Sequence, residues 1–243
     1  MRGARALGLA LLLTTLATPA ADAAKKPRQV NVVWTHPAYA ELGVASIALL
    51  PAASYDNNPR AEQQVEGAMG LALKGTGYRW MSSITSRDML RRGAAGDSLL
   101  KAVRQEILKS ARADSLSAPR LCALLRTDAL LCVRVERWEQ VQIEWDQSGK
   151  PTTTVGLRAA LVDSLGRLLW SASGTELAEG SYHEASPTPI GVKSSGLGTQ
   201  MMGGESAPPA FDVVLTPLLA RWAPQFPPKP AAAAPQAAPD LAR

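Results

Sequence analysis

The 243-residue sequence predicts a single α/β (α+β) domain in which a mixed β-sheet is packed by helices. Three observations lead there. Apolar residues make up 46% of the chain and charged residues 19%, which supports a sizeable core and excludes wholesale disorder. The first half alternates short β-rich runs with helix-spaced segments, and the middle carries three successive β-rich runs joined by turns. Both ends have compositions foreign to a core, leaving roughly 200 residues, the size of one domain.

The elements follow in order. Val30 to Thr35 and Val44 to Leu50 are β-rich, and the second is continuously apolar, as suits a strand buried on both faces. Pro51 stops it, and Ser54 to Pro59 is a polar loop with capping residues before a helix over 60–74. Its apolar positions are 61, 65, 68, 69, 72 and 73, while Gly67 and Gly70 suggest close approach to a sheet. Tyr78 to Met81 reads as a short strand. Helices are expected over Ser86 to Arg92, from Asp97 to Ala111, and from Ser117 to Thr127. Then come three strands, Ala129 to Ile143, Thr152 to Val162 and Arg167 to Ser173, the last two joined by the turn Asp163-Ser164-Leu165-Gly166. The third strand carries the large apolar residues Leu168 and Trp170. Residues 183–209 form a long Gly-rich loop, and Ala210 to Ala223 a final helix. The order is strand–helix–strand–helices–three-stranded meander–helix.

The first 23 residues have the form of a secretory signal peptide. Arg2 and Arg5 precede the apolar run Leu7 to Leu16, Pro19 breaks it, and Ala21 and Ala23 place cleavage between Ala23 and Ala24. The alternative, an uncleaved anchor, fails on length, since about ten apolar residues cannot cross roughly 30 Å of hydrocarbon. No Cys precedes Cys122, so no lipobox is expected, and no other stretch has the length of a transmembrane span. The mature chain is therefore expected in the periplasm or at the periplasmic face of the outer membrane, not lipid-anchored. At the other end, 14 of the 21 residues from Ala223 to Arg243 are Ala or Pro. Proline fixes φ and removes donors, so a disordered, extended tail is expected over 223–243, either passive or acting as a spacer.

Several chemistries are excluded by composition and spacing. The formal charge of +5 is scattered, with no basic stripe interleaved with aromatics, so no nucleic-acid partner is expected. His36 and His183 lie far apart with no ligand motif nearby, so neither a metal nor a cofactor is expected. There is no G-x-S-x-G elbow, and Gly191-Val192-Lys193-Ser194 lacks the glycine a phosphate loop needs before its lysine. No catalytic residue is assigned. Cys122 and Cys132 fit either a helix-to-strand disulfide, favoured by an oxidising compartment, or two buried free thiols.

The succession SIALLP, GTGYRWM, TDALLCVRVERW and LVDSLGRLLW resembles a bacterial envelope superfamily of CsgG-like and LpoB-like proteins and related small lipoproteins. The matching motif positions are Pro51, Asp128, Asp163, Gly166 and Trp170. The resemblance implies a fold and a compartment, and no catalytic residue. Read from the residues themselves, Asp128 caps or turns into a strand, Asp163 and Gly166 build a tight turn, and Trp170 anchors the core. The departures are the missing lipobox and the absence of amphipathic membrane hairpins. The leading functional expectation is an exported, non-enzymatic envelope binding or assembly module acting through protein–protein contacts. Its partner is an unidentified envelope protein, and homo-oligomers are possible. A tethering accessory to an export system and a periplasmic hydrolase acting on cell wall or a small exported substrate are the alternatives.

Overall fold

The computed structural model describes residues 31–92, 96–144, 147–184, 194–195, 198–199 and 207–230. The signal peptide with its Ala23–Ala24 cleavage point, the phosphate-loop-like segment up to Lys193, and residues 231–243 of the tail lie outside them.

The strands are β1 (Asn31–Thr35), β2 (Ser46–Leu49), β3 (Ala53–Ser54), β4 (Arg79–Met81), β5 (Ala129–Val141), β6 (Thr152–Asp163) and β7 (Leu168–Glu179). Together they form a seven-stranded mixed sheet ordered β1-β7-β6-β5-β2-β4, with β3 alongside β5. A separate two-stranded ribbon joins β8 (Ser194–Ser195) to β9 (Gly198–Thr199) inside the segment expected as a loop. The helices are α1 (Pro59–Leu73), α2 (Ser83–Arg91), α3 (Gly96–Ser110), α4 (Ser117–Leu125) and α5 (Phe211–Trp222). The expected α/β class holds: a single domain with a mixed sheet and five helices, not closed into a barrel.

The two faces of the sheet carry separate cores. Ile47 and Leu49 of β2, the alternate residues Leu131, Val133 and Val135 of β5, and Val155, Leu157, Ala159 and Leu161 of β6 meet α1 and α5 on one face. Ala48, Leu50, Leu130, Cys132 and Val162 meet α2, α3 and α4 on the other. Every residue of β2 is buried, which is why it reads as a continuous apolar run. β2 is parallel to both β4 and β5, whereas β5, β6, β7 and β1 run antiparallel in sequence along the sheet.

Two expectations are corrected, and one strand irregularity appears. Gly67 and Gly70 do not face the sheet. The sheet-facing stripe of α1 is Ala61, Val65, Met69 and Leu73, while both glycines are exposed and nothing lies within 4 Å of where a Cβ would stand. Leu168 and Trp170 are on opposite faces, because the pairing shifts from Leu161↔Trp170 to Val162↔Leu168 and Leu169 bulges out of register. That bulge delivers both Leu169 and Trp170 to the α1/α5 face and sends Leu168 to the other. Finally, β7 extends to Glu179, six residues beyond the expected end at Ser173, with its distal half paired to Thr152–Leu157 of β6.

Phe226 and Pro227, assigned by composition to the tail, are buried. A 3-10 turn over Ala223–Gln225 leads to Phe226, which is 4% exposed and lies 4.9 Å from the Trp170 ring. The indole of Trp170 donates to the Gln225 carbonyl at 3.0 Å, and Tyr78 donates its hydroxyl to the Pro227 carbonyl at 3.0 Å. Trp222 closes the same cluster and donates to Asn31 Oδ1 at 2.8 Å, tying α5 to β1.

Candidate functional site

Two depressions flank α1. The first is a charged cleft of about 450 Å3 bounded by α1, α2 and α3. Its construction starts at the loop after β2. Asn58 caps α1, its side chain accepting the Ala61 N–H at 3.1 Å, and Pro59 occupies the first turn, where a missing N–H costs nothing. One and two turns further along α1, Glu62 and Glu66 reach back over the same loop. Glu66 Oε1 accepts the Ala52 N–H at 2.9 Å, and Glu62 Oε1 accepts both the N–H and the hydroxyl of Ser54 at 2.9 Å.

Each carboxylate then meets an arginine from another helix. Arg87 of α2 donates Nη2 to both oxygens of Glu66, at 3.0 and 3.3 Å, and Ser83 adds its hydroxyl at 2.7 Å. Arg104 of α3 donates Nη2 to Glu62 at 2.6 Å and to Asn57 Oδ1 at 3.1 Å. Glu66 is buried, with 5% of its side chain exposed, and both of its oxygens end on donors, as a buried polar group requires. Arg91 and Lys101 complete the cationic lining, with Asp97 3.9 Å from Arg91.

The second depression is an apolar groove of about 620 Å3 on the next face of α1. Gly67, Gly70 and Leu71 form one side, and Trp80 and Met81 of β4 with Ile84 of α2 the other. Leu71 is 76% exposed and Ile84 65%, while β4 is an edge strand of the sheet. The two depressions share Gln63 and Arg87.

The residues singled out in the sequence lie elsewhere, apart from Pro51, which lines the cleft. Asp128 stands where β2 and β5 begin. Its Oδ2 accepts the N–H groups of Ala45 and Ser46 at 3.1 and 2.9 Å and the Ser46 hydroxyl at 2.7 Å. Burial alone would push this carboxyl up, but the Ser46 hydroxyl and those two N–H groups outweigh it and hold the carboxyl below its usual range. Asp163 closes the β6–β7 turn by accepting from Leu165 N and Arg167 N at 2.9 and 2.8 Å, with the Arg167 guanidinium 2.6 Å from its other oxygen. Gly166 takes φ +76° in that turn. Trp170 is fully buried.

Cys122 and Cys132 share the α2–α4 core as free thiols, so the disulfide expected as one option is not formed. Both belong to one apolar cluster, where each fills space as a small hydrophobe. Burial pushes both thiols up to about 12, with the carboxylates of Asp163 and Asp128 adding to the effect at Cys122. Among the described residues, no group of three or more His, Cys, Asp and Glu is placed to hold a metal ion, and no helix is long and apolar enough to cross a membrane.

The cleft residues Glu62, Glu66, Arg87 and Arg104 were not singled out by sequence. The only local signal is the Glu62/Glu66 spacing of one helical turn, which equally suits an exposed helix face. The class defined by this architecture is an open, three-layered α/β domain, its mixed sheet covered by helices on both faces and its α1 flanked by a charged cleft and an apolar groove. No protein-family model matches the chain, and no curated protein matches it. Among solved structures it is similar to the lipoprotein GNA1162 from Neisseria meningitidis, at 20% identity over 56% of this chain and 83% of that one, with a TM-score of 0.42. It is also similar to PelC from Paraburkholderia phytofirmans, solved as a dodecamer, at 18% identity over 81% and 96% of the two chains, with a TM-score of 0.41. A hypothetical protein, CT253 from Chlamydia trachomatis, gives 14% identity over 74% and 96%, with a TM-score of 0.37. At these scores the likenesses assign neither a family nor an activity.

Proposed function

We propose that the chain is an exported, non-enzymatic binding or assembly module of the bacterial cell envelope that works through contacts with another envelope protein. The apolar groove between α1, β4 and α2 carries this reading. A surface that leaves Leu71 and Ile84 more than half exposed beside an edge strand is costly in water unless something covers it. An extended apolar segment of the partner suits it. The rim strand β4 offers backbone donors and acceptors, and the bare backbone at Gly67 and Gly70 leaves room for side chains. Export rests on the n-region, apolar run and Ala21/Ala23 pattern of the N-terminus.

The hydrolase reading gains no support from the charged cleft. Glu66 spends both oxygens on Ala52, Ser83 and Arg87, and Glu62 Oε1 accepts three hydrogen bonds, so both carboxylates serve as fixed acceptors.

Photocrosslinking groups placed at Leu71 and Ile84 test the proposal in intact cells. A discrete adduct with one envelope protein, lost when the other of the two positions is changed to Asp, is the expected result. Labelling confined to solvent products at both positions, in cells where the chain is folded, overturns it.

A further inference from the structure

Independently of that reading, we propose that the charged cleft between α1, α2 and α3 is a binding site for a phosphate group. Four cations, Arg87 and Arg91 from α2 and Lys101 and Arg104 from α3, line one opening of about 450 Å3. Against them stand Glu62 and Asp97 in the wall and Glu66 behind it, so positive charge is in excess.

The arrangement of donors matters more than the count. Arg87 and Arg104 bond through Nη2 alone, to Glu66 in the first case and to Glu62, Asn57 and the Ser54 carbonyl in the second. Their Nε and Nη1 groups have no partner among the described residues, and each side chain is 29% exposed. The carboxylates thus hold one edge of each guanidinium and leave the remaining N–H groups available to a ligand, with much of the ordering entropy already spent. Arg91 reaches only Asp97, at 3.9 Å, and Lys101 has no partner among the described residues.

This donor set favours phosphate over carboxylate. A carboxylate has two oxygens in one plane and satisfies one guanidinium fork, whereas a phosphate offers oxygens in several directions and accepts from opposite walls at once. The shared chemistry fits a soluble phosphate ester and an anionic lipid headgroup alike, and the two sources separate by experiment.

The purified full chain is titrated calorimetrically at low salt with inorganic phosphate and with glycerol phosphate, and sedimented with phosphatidylglycerol vesicles. Saturable binding is expected, weakened about tenfold by Lys101→Met and by Arg91→Gln, since each removes a charged donor. Both variants spare the Glu62 and Glu66 pairs, and unchanged unfolding midpoints confirm that the fold is retained. Vesicle binding lost in the same variants assigns the phosphate to a lipid; binding of the soluble phosphates without vesicle binding assigns it to a soluble ester. No saturable binding in any arm overturns the proposal, as does binding that both variants leave unchanged. Either failure leaves the partner-contact reading intact, because crosslinking at Leu71 and Ile84 reports on residues outside the cleft.

Discussion

Glu66 accepts the backbone N–H of Ala52 at 2.9 Å from within a buried site, so a helix carboxylate stands in for the sheet partner that the chain lacks just after β2. Glu62, four residues earlier, accepts the N–H and the hydroxyl of Ser54 in β3. The pair fixes the path of the chain from β2 through β3 into α1. It also sets Arg87 and Arg104 along the rim of the cleft.

Glu66→Ala should therefore cost about 3 kcal/mol, the order expected when a buried charge pair loses one partner and leaves the other unpaired. Urea unfolding followed by far-UV circular dichroism measures it. Glu62→Ala, whose site is more open, should cost less, about 1 kcal/mol. Equal midpoints for wild type and Glu66→Ala would show that water replaces the carboxylate without loss.

Gly166 combines two constraints. Its φ of +76° disfavours an L side chain, and a Cβ there would stand 2.6 Å from Ser115 Cα in the α3–α4 connection. Gly166→Ala should destabilise by at least about 2 kcal/mol, more than backbone strain alone, because the hairpin and the connection must separate. Gly43→Ala is the control: its φ is +63°, but nothing lies within 4 Å of the added methyl. A similar cost at both positions would remove the close approach at Ser115 from the account.

Chain removal after Trp222 should be far more damaging than removal after Pro230. The shorter truncation point strips Phe226 from the Trp170 and Tyr78 rings and leaves the Trp170 indole N–H and the Tyr78 hydroxyl without their carbonyls. Burial of one large aromatic and two hydrogen bonds, one buried and one partly buried, together suggest a loss of about 3 kcal/mol or more. Thermal unfolding of the two truncated chains compares them directly, and indistinguishable transitions would mean that the packed segment contributes nothing to stability.

The same segment shows what the sequence conveys and what it hides. Strands β2, β5 and β6 and the helices were legible because their apolar spacing reports a buried face that repeats over many residues. Phe226 was not, because a single aromatic among prolines has no period and its burial depends on Trp170, 56 positions earlier, the Gln225 carbonyl bond alone spanning 55. Trp170 itself was read as a core anchor, but the one-residue bulge at Leu169 that turns Leu168 to the opposite face leaves no mark in composition. The cleft was illegible for a related reason. Glu66 and Arg87 are 21 residues apart and Glu62 and Arg104 are 42 apart, so nothing local distinguishes them from ordinary solvated charges. Asp128 was the exception, recognised as a capping residue at a strand entry, although its partners at Ala45 and Ser46 are more than 80 positions away.

The thiols give the chain a defined alkaline limit. Cys122 and Cys132 are raised from the ordinary value of 9.0 to about 12 in the folded chain. Below about pH 9 both states hold the protons and pH has no effect through these groups. Between about pH 9 and about pH 12 the unfolded chain ionises while the folded chain does not, so the folded state binds more protons and stability falls as pH rises. Tyr39 and Tyr78, whose hydroxyls meet at 2.8 Å in the other core, are also raised, chiefly by burial, and act in the same direction. The urea midpoint should accordingly be level from pH 7 to 9 and decline steadily above it, and Cys122→Ala/Cys132→Ala should decline less steeply. Iodoacetamide at pH 8 should leave both thiols unmodified in the folded chain and alkylate both in urea without reductant, as two free, buried thiols require. Recovery of thiols in urea only after adding a reductant would instead establish a bridge between them.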